Sequence, residues 1–248
     1  MHKKIAALAG LLGLAASGCT GSANGQAPAP PAPALNPSDG EYHAEIDPSN
    51  FVSRVDNPLL PFIPGTKFVL EGRTEEGLEH EEIVVTEETK EILGVTTTVV
   101  HDTITVKGKL FEDTLDWYAQ DSHGNVWYFG EDTKSYSGKK VSTEGSWEAG
   151  VDGAEPGIIM PADPQVTDSF RQEYYAGHAE DMAWVVEVRQ KATTPAGHFT
   201  DVVNTLEWTP LEPKVVVQKS YAPGAGIIKE TGLAGGLEQF ELLEVTKA

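Results

Sequence analysis

MAWVVEV, residues 182–188, carries the clearest secondary-structure pattern of the chain. Successive side chains of an extended chain point to opposite faces. Met182 and Trp184 therefore fall on one face together with Val186, while Glu187 falls on the other. Apolar residues on one face and charged residues on the other are typical of a half-buried strand. The stretch predicts a strand that turns Trp184 towards a core.

The same kind of pattern recurs through the chain after residue 41. Its apolar segments are short, rich in Val, Ile, Thr and aromatic residues, and bounded by Gly, Pro or Asn, which is typical of strands. Almost none has the period of about 3.6 residues that marks an amphipathic helix. Further predicted strands are 67–71, 81–87, 97–106, 110–119, 126–130, 169–176, 200–209, 215–221, 227–230 and 239–245. The fold class is predicted to be all-β.

The connections between these segments are typical of hairpins. Lys107-Gly108-Lys109 and Ser137-Gly138-Lys139 lie between predicted strands, and 121–125 supplies Gly and Asn for positive φ angles. Parallel strands would need crossovers of about a dozen residues or more. We therefore expect one domain built from a mostly antiparallel, strongly curved sheet, either a barrel or a half-barrel, with a two-sheet sandwich as the alternative.

Residues 145–167 interrupt the strand pattern. This stretch is rich in Gly and Pro, and a connection of that length in a compact domain is often functional. We expect it to form a long ordered loop that covers one face of the sheet.

The N-terminus carries an export signal. Met1-His2-Lys3-Lys4 is a short basic head, and residues 5–16 form an apolar run too short to span a bilayer. Ala16-Ser17-Gly18-Cys19 resembles the lipobox of bacterial lipoproteins, in which the cysteine sulfur is acylated and becomes the mature N-terminus. Cys19 is the one cysteine of the sequence, and acylation explains its isolation in an exported chain. An ordinary signal peptide with an incidental cysteine is the alternative.

A tether is expected between this signal and the folded domain. Residues 20–40 alternate Ala with Pro and have no hydrophobic periodicity, which is typical of a stiff, extended linker. The predicted organisation is a signal peptide at 1–18, a tether at 19–44 and an all-β domain at 45–248. The predicted location is the cell envelope, with the lipid in a bacterial membrane and the domain facing the periplasm or the exterior.

The charge balance excludes one class of partner. The 248 residues include 38 Asp and Glu against 18 Lys and Arg, a formal charge of −20. Loss of residues 1–18 removes Lys3 and Lys4, so 16 basic residues remain against 38 acids and the charge becomes −22. Nucleic acid is not expected as a partner because phosphate binding needs clustered Lys or Arg.

Catalytic and zinc motifs are missing from the sequence. It contains no HExxH, GxSxG, P-loop or paired CxxC, and its seven histidines never fall at zinc-like spacing. No catalytic residue is therefore assigned.

Acidic residues around one predicted hairpin suggest a cation site instead. The segment 121–125, Asp-Ser-His-Gly-Asn, weakly resembles a calcium loop, because hard cations bind several oxygens from one tight turn. His123 breaks the oxygen pattern, and a plain hairpin turn needs no ion. The candidate ligands for calcium or another divalent metal are Asp116, Asp121, Asn125, Glu131 and Asp132, with Glu180 and Asp181 as further oxygen donors. The neighbouring segment Gln172-Glu173-Tyr174-Tyr175 supplies additional oxygens. Asp113 lies on an apolar face, where a carboxylate must be paired, protonated or metal-bound.

Aromatic residues form a second group of candidates. They occur as adjacent pairs in predicted strands, so the members of a pair point to opposite faces of the sheet. One member packs in the core, and the other lines a pocket if the sheet encloses one. The candidate ligand-binding residues are Trp117, Trp127, Trp147 and Tyr174; packing in the core is the alternative role.

Three motifs carry a resemblance to known proteins. They are DWYAQDSHGNVWYFGED at 116–132, GSWEAG at 145–150 and the closing YAPGAGII at 221–228. Together they resemble a family of exported bacterial proteins, many of them lipoproteins, without an assigned activity. The resemblance spans about 51–245 and implies one domain. The closing motif is also similar to the last hairpin of periplasmic lipoprotein-type proteins whose curved sheet wraps apolar ligands.

Three classes of function remain open. The first is a lipid-anchored envelope protein without catalytic activity, whose β domain binds a small molecule or a protein. The second is a protein that binds calcium or another divalent metal through the acids named above. The third is a hydrolase that uses a carboxylate pair such as Asp116 and Glu131 as general acid and base.

Overall fold

The computed structural model describes residues 42–74, 77–236 and 238–247. Their regular structure consists of strands and one 3₁₀ turn at Pro48–Asn50, so the all-β prediction is confirmed. Over these same ranges, no helix has the length and apolar character needed to cross a membrane.

Sixteen strands are formed within the described ranges. They are β1 (Phe51–Val52), β2 (Lys67–Arg73), β3 (Leu78–Ile92), β4 (Val95–Val106), β5 (Lys109–Asp121), β6 (Val126–Ser137), β7 (Lys140–Ser142), β8 (Trp147–Glu148), β9 (Glu155–Met160), β10 (Ser169–Arg171), β11 (Glu173–Tyr174), β12 (Met182–Thr194), β13 (Gly197–Trp208), β14 (Val216–Ala222), β15 (Gly226–Ala234) and β16 (Gln239–Thr246).

All the strands belong to one antiparallel sheet. Its order is β10-β12-β13-β14-β15-β16-β2-β3-β4-β5-β6-β9-β11, and β1, β7 and β8 pair at its sides with β5 or β6. The C-terminal strand β16 pairs with β2, which joins the two halves of the chain into a continuous wall. A long, twisted antiparallel sheet curls because each strand is rotated relative to its neighbour.

Tight turns fix the register of this sheet. Lys107 and Gly108, between β4 and β5, have φ angles of 52° and 74°, as a two-residue primed turn requires. Leu93 and Gly94 turn the chain between β3 and β4 in the same way, with φ of 51° and 78°. The hairpin that the sequence predicts at 107–109 is confirmed.

The sheet nearly closes into a barrel at one seam. Its two edge strands, β10 and β11, are consecutive in the chain and are separated by Gln172 alone. At the seam the backbone of β9 runs so close that a Cβ on Gly157 would lie within 2.5 Å of the carbonyl oxygens of Arg171 and Gln172. A side chain at position 157 would force the seam apart.

The apolar core occupies part of the barrel interior and extends outside β5 and β6. Phe129, Phe170 and Leu242 are at most 1% exposed. On the outer side, Phe51 packs edge-to-face against Trp127 and Phe129, with ring centroids 6.2 and 5.6 Å apart. The strand β6 is consequently buried on both faces along its first half.

Three details differ from the sequence-based expectations. Trp184 lies on the outer face of β12 and is 43% exposed, while Ala183 and Val185 are fully buried. The physical reason is that Ala183 lies opposite Phe170 on β10, and that buried ring takes the interior space. The predicted strand 169–176 is divided at the seam into β10 and β11, and the segment 145–167 is an ordered connection that contributes β8 and β9 to the sheet.

The predicted N-terminal features fall mostly outside the described residues. The signal peptide at 1–18, Cys19 and the tether up to residue 41 all lie there. The last three residues assigned to the tether contact the barrel: Tyr42 donates a 3.0 Å hydrogen bond to the carbonyl of Pro156, and the backbone N–H of Ala44 donates one of 2.6 Å to Glu155.

Candidate ligand-binding cavity

A cavity of about 250 Å³ lies inside the barrel. Nine carboxyl groups and one lysine line it among the described residues. Five of the acids come from β3 to β6: Glu81, Asp102, Glu112, Asp116 and Glu131. The other four come from the opposite wall and the seam: Glu173, Asp181, Glu207 and Glu230.

Strand register gathers these acids on the inner face. Val100, Asp116 and Glu131 are cross-strand partners on β4, β5 and β6, so their side chains project to the same side. Directly opposed residues of antiparallel strands have Cβ atoms roughly 4.5–5.5 Å apart. The sheet thus builds a row of side chains that contains two adjacent carboxylates.

Lys219 is the counter-charge on the opposite wall. Its Nζ lies 3.1 Å from Glu207 Oε2 and 3.9 Å from Glu230 Oε2. Burial alone would lower the pKa of this lysine, but the carboxylates of Glu207 and Glu230 outweigh burial and hold the pKa well above its ordinary value. Lys219 therefore stays charged and neutralises part of the wall.

Glu81 and Asp102 form a carboxyl pair that shares a hydrogen bond. Burial, followed by the charge of Glu230, raises the pKa of Glu81 to about 7. Burial, followed by the charge of Glu81, raises the pKa of Asp102 well above its usual range. The cavity thus holds protons near neutral pH because too many carboxylates face one another.

Tyrosines supply the aromatic part of the wall. Tyr128 donates a 2.6 Å hydrogen bond to Asp116 Oδ1, and Tyr221 donates one of 2.8 Å to Glu207 Oε1. The rings of Tyr118 and Tyr128 stack with centroids 4.9 Å apart. Burial, reinforced by the neighbouring carboxylates, raises the pKa of all three phenols, so they remain neutral donors.

Two polar atoms of the cavity wall have no hydrogen-bond partner among the described residues. They are Gln172 Nε2 and Asp102 Oδ1. Gln172 is 3% exposed and faces the cavity from the seam. A buried polar atom without a partner costs free energy, so these two atoms mark positions where a bound molecule could form hydrogen bonds. Gln172 Nε2 offers a donor, and Asp102 Oδ1 offers an acceptor.

The residues predicted as metal ligands are distributed over three places. Asp116 and Glu131 line the cavity. Asp121 and Asn125 lie in the β5–β6 turn, and Asp132 is 47% exposed next to Lys134. Of the two further oxygen donors, Asp181 lines the cavity, whereas Glu180 accepts a 2.7 Å hydrogen bond from the backbone of Gly177. Within the described ranges, no three His, Cys, Asp or Glu side chains are grouped as a metal site would require.

Asp121 is the centre of the hairpin turn. Its carboxylate accepts hydrogen bonds from the backbone N–H groups of His123 and Asn125, at 2.9 and 3.0 Å. It also accepts from Asn125 Nδ2 at 2.8 Å and from Trp127 Nε1 at 2.9 Å. These four bonds from the protein itself give the turn its shape.

The aromatic residues predicted to bind a ligand lie beside the cavity rather than in its lining. Trp117 is buried beneath Lys90, whose Nζ is 3.3 Å from the ring centroid, and Trp127 bonds to Asp121 on the outer face. Trp147 Nε1 donates to Glu173 Oε2 at 2.8 Å. Tyr174 packs edge-to-face on Tyr42 outside the lining. The pairs do divide between the two faces, and the members that line the cavity are Tyr118 and Tyr128, the neighbours of two of these tryptophans.

Most of the lining acids are not identified by the sequence pattern. The missed acids are Glu81, Asp102, Glu112, Glu207 and Glu230, together with their counter-ion Lys219. Charged residues alternating with Val, Ile or Thr within long strands were the available signal, but alternation does not tell which face is the interior. Asp113, expected to need a partner, is paired with His101 Nε2 at 2.6 Å on the opposite face.

A larger groove of about 770 Å³ lies outside the barrel, lined by residues of 43–50 and 150–156. Its polar groups satisfy one another, since His43 Nδ1 and the backbone of Ala44 both bond to Glu155. The interior cavity is the better candidate site for a ligand, because its acids outnumber its bases and two of its buried polar atoms have no partner within the described part of the chain.

Two solved structures are similar to this chain. One is a crystal structure of a candidate exported protein with a YmcC-like fold from Bacteroides fragilis; it is 16% identical, with a TM-score of 0.45, over 76% of this chain and 99% of that chain. The other is a candidate lipoprotein from Parabacteroides distasonis, 13% identical with a TM-score of 0.43, over 77% of this chain and 99% of that one. At these values the likeness carries no inference about what this chain binds. No protein-family model matches the chain, and no curated protein matches it.

Proposed function

We propose that the chain is a lipid-anchored protein of the bacterial cell envelope whose barrel binds a small ligand in its interior cavity and catalyses no reaction. The observation that carries the proposal is the polar lining of this cavity. A barrel of this kind is most simply stabilised by filling its interior with apolar side chains. Here carboxyls, phenols, an amide and an ammonium, together with a few apolar side chains, converge on a cavity of about 250 Å³. Such a concave site with a few converging polar groups is the usual form of a ligand pocket.

The test of ligand binding is native mass spectrometry of the domain from residue 20 onward, purified from the cells that produce the protein. A bound molecule of defined mass, released when the domain is unfolded, is the expected result. The comparison protein is the double variant Asp116→Asn with Glu131→Gln, which removes two cavity charges without changing the size of the side chains. If this variant retained the same molecule at the same occupancy, the ligand would lie elsewhere. If the wild-type domain and the variant both showed only the mass of the protein itself, the proposal would be contradicted.

The lipid anchor rests on Ala16-Ser17-Gly18-Cys19 and has its own test. The full-length chain should fractionate with membranes and incorporate a labelled fatty acid. Cys19→Ala should abolish the label and release the protein from the membrane fraction, because the thiol that carries the lipid is gone. An unchanged distribution of the variant between fractions would contradict lipid anchoring.

A carboxylate-dependent hydrolase is the second candidate function, because Asp116 and Glu131 face the same cavity as directly opposed partners. Directly opposed residues have Cβ atoms roughly 4.5–5.5 Å apart, which allows their carboxyls to reach the separation of roughly 5–5.5 Å found in retaining glycosidases. Turnover of aryl glycosides by the wild-type domain, lost in both Asp116→Asn and Glu131→Gln, would support it. Equal background rates in all three proteins would exclude this activity.

A further inference from the structure

We propose that the ligand of the cavity is a small organic cation that carries ammonium groups together with hydroxyl groups, as amino sugars and aminocyclitols do. This inference rests on the proposed function of the cavity as a ligand site. It adds the chemical class of the ligand, which follows from four properties of the wall.

The first property is charge. Nine acids and one lysine line the cavity, and that lysine is already held by Glu207 and Glu230. Glu81 and Asp102 relieve part of the remaining repulsion by sharing a proton. A cationic ligand would supply the missing positive charge directly, since ammonium groups form charge-assisted hydrogen bonds with carboxylates.

The second property is the distribution of the carboxyls. They project from β3, β4, β5 and β6 on one side and from β13, β15 and the seam on the other. A metal ion needs its ligands to converge on one point within about 2.6 Å. Carboxyls spread around a wall instead match a molecule that presents several N–H donors in different directions.

The third property is the aromatic surface. Tyr118, Tyr128 and Tyr221 line the cavity among the carboxyls. Tyrosine rings attract organic ammonium groups through their π-electrons and pack against the apolar faces of saturated rings. This combination of carboxylate and aromatic groups suits an organic ammonium better than a strongly hydrated metal ion.

The fourth property concerns the two buried polar atoms that have no partner in the described ranges of the chain. Asp102 Oδ1 needs a donor, which an ammonium group provides. Gln172 Nε2 is a donor that needs an acceptor, and a fully protonated polyamine has none to offer. A hydroxyl oxygen meets this second requirement, so the ligand is assigned hydroxyl groups in addition to its charge.

The experiment compares four probes by isothermal titration calorimetry on the domain from residue 20 onward, at pH 8 and 0.15 M NaCl. The salt screens binding to exposed acids, because the Debye length is then about 8 Å. 2-Deoxystreptamine carries two ammonium and three hydroxyl groups on one ring, and myo-inositol is its uncharged analogue. Spermidine is a cation without hydroxyls, and calcium chloride is the metal alone.

The expected result is binding of one 2-deoxystreptamine per chain and at least about tenfold weaker binding of myo-inositol, since charge-assisted hydrogen bonds are lost. Asp116→Asn with Glu131→Gln should weaken 2-deoxystreptamine at least about tenfold. The control Asp132→Asn removes the same kind of charge from the outer face of the same strand and should change affinity less than about twofold. Circular dichroism confirms that each variant is folded.

Gln172→Met tests the hydroxyl requirement separately. It should weaken 2-deoxystreptamine about fivefold or more and leave spermidine unchanged, because only the former supplies an acceptor to the amide. Three outcomes would overturn the assignment of an organic cation. The first is that myo-inositol binds as tightly as 2-deoxystreptamine, and the second is that Asp132→Asn weakens binding as much as the double variant Asp116→Asn with Glu131→Gln. The third is that calcium saturates the domain while neither amine binds. Tighter binding of spermidine than of 2-deoxystreptamine would overturn the hydroxyl requirement. A different molecule found by native mass spectrometry would overturn this inference while the proposed function stands; an empty cavity would end both.

Discussion

Tyr128 and Asp116 join two neighbouring strands inside the barrel: the phenol of Tyr128 donates a 2.6 Å hydrogen bond to Asp116 Oδ1. The two residues are 12 positions apart in sequence, on the two arms of one hairpin, and both line the cavity. The bond fixes the orientation of one carboxylate and of the stacked Tyr118–Tyr128 pair at the same time.

Tyr128→Phe should lower the free energy of unfolding by about 1.5–3 kcal/mol, the range for a hydrogen bond to a charged group. Urea denaturation monitored by tryptophan fluorescence measures the change. Tyr136→Phe, at a half-buried position further along β6, is the matched control and should change stability by under about 0.5 kcal/mol. Equal effects of the two substitutions would show that the Tyr128 bond contributes nothing specific.

Glu81 should make the empty domain less stable as the pH rises from about 4.5 to about 7. Its pKa is 4.5 in a free chain and about 7 here, raised by burial and by Glu230. The folded state therefore binds more protons than the unfolded state in this window, and the free energy of unfolding falls with increasing pH. Asp102 and Glu112 also face Glu81, whereas Lys219 opposes the shift.

Glu81→Gln should flatten this dependence and raise stability above pH 7 by at most about 3 kcal/mol, from 1.36 kcal/mol per pKa unit. Thermal unfolding between pH 4.5 and pH 8.5 measures it. Glu82→Gln, one residue along on the outer face, should instead lower the free energy of unfolding at neutral pH. A hydrogen bond from Lys67 lowers the pKa of Glu82, so the charged form of this residue stabilises the fold. A pH profile of Glu81→Gln that parallels the wild type would contradict the role of Glu81.

Asp121→Ala should destabilise the domain by about 3–5 kcal/mol. The substitution leaves four donors of the β5–β6 turn without their acceptor, and buried donors without partners are costly. Asp132→Asn, on the same hairpin but exposed, should cost under about 0.5 kcal/mol. Both unfolding curves should be recorded with EDTA and with calcium. A loss in Asp121→Ala that appears only with calcium present would mean that Asp121 acts as a metal ligand instead.

Gly157→Ala should open the seam of the barrel. The new Cβ would meet backbone carbonyls of Arg171 and Gln172, which cannot move aside as a flexible side chain does, so we expect a loss of about 2–4 kcal/mol. Hydrogen exchange should show faster exchange in β9 to β11. Gly236→Ala, where a Cβ has nothing within 4 Å, is the control and should leave exchange at the seam unchanged.

Much of the fold could be predicted from the sequence because strand patterns and turn residues act locally. Val126–Ser137 and Val95–Val106 contain the predicted strands, and Lys107-Gly108 turns as its residue types require. Trp184 was predicted on the wrong face because period-2 alternation identifies two faces without saying which one is inside. Phe170, which lies opposite Ala183, decides that question, and it is 13 positions from Ala183 in the chain.

The candidate site was only partly predictable for the same reason. The acids at 116, 131, 173 and 181 belong to segments that stand out as acidic, and the cavity contains them. Glu207 and Glu230 lie in ordinary strands, and they become site residues only because β14 brings Lys219 between them. Gln172 belongs to a segment expected to supply oxygens, but its importance as a buried donor comes from its position between the two edge strands.

Strand content, hairpin turns and the excess of acidic residues can be read from residue type and local spacing. The position of the acidic residues in space depends on the folded sheet. The near-closure of the sheet at the seam beside Gln172 turns one face of its long strands inward, and the resulting burial raises the pKa of Glu81 and of Asp102 and joins the two carboxyls in one hydrogen bond. Electrostatic repulsion in an enclosed space acts between residues far apart in the chain, and only the fold brings them together.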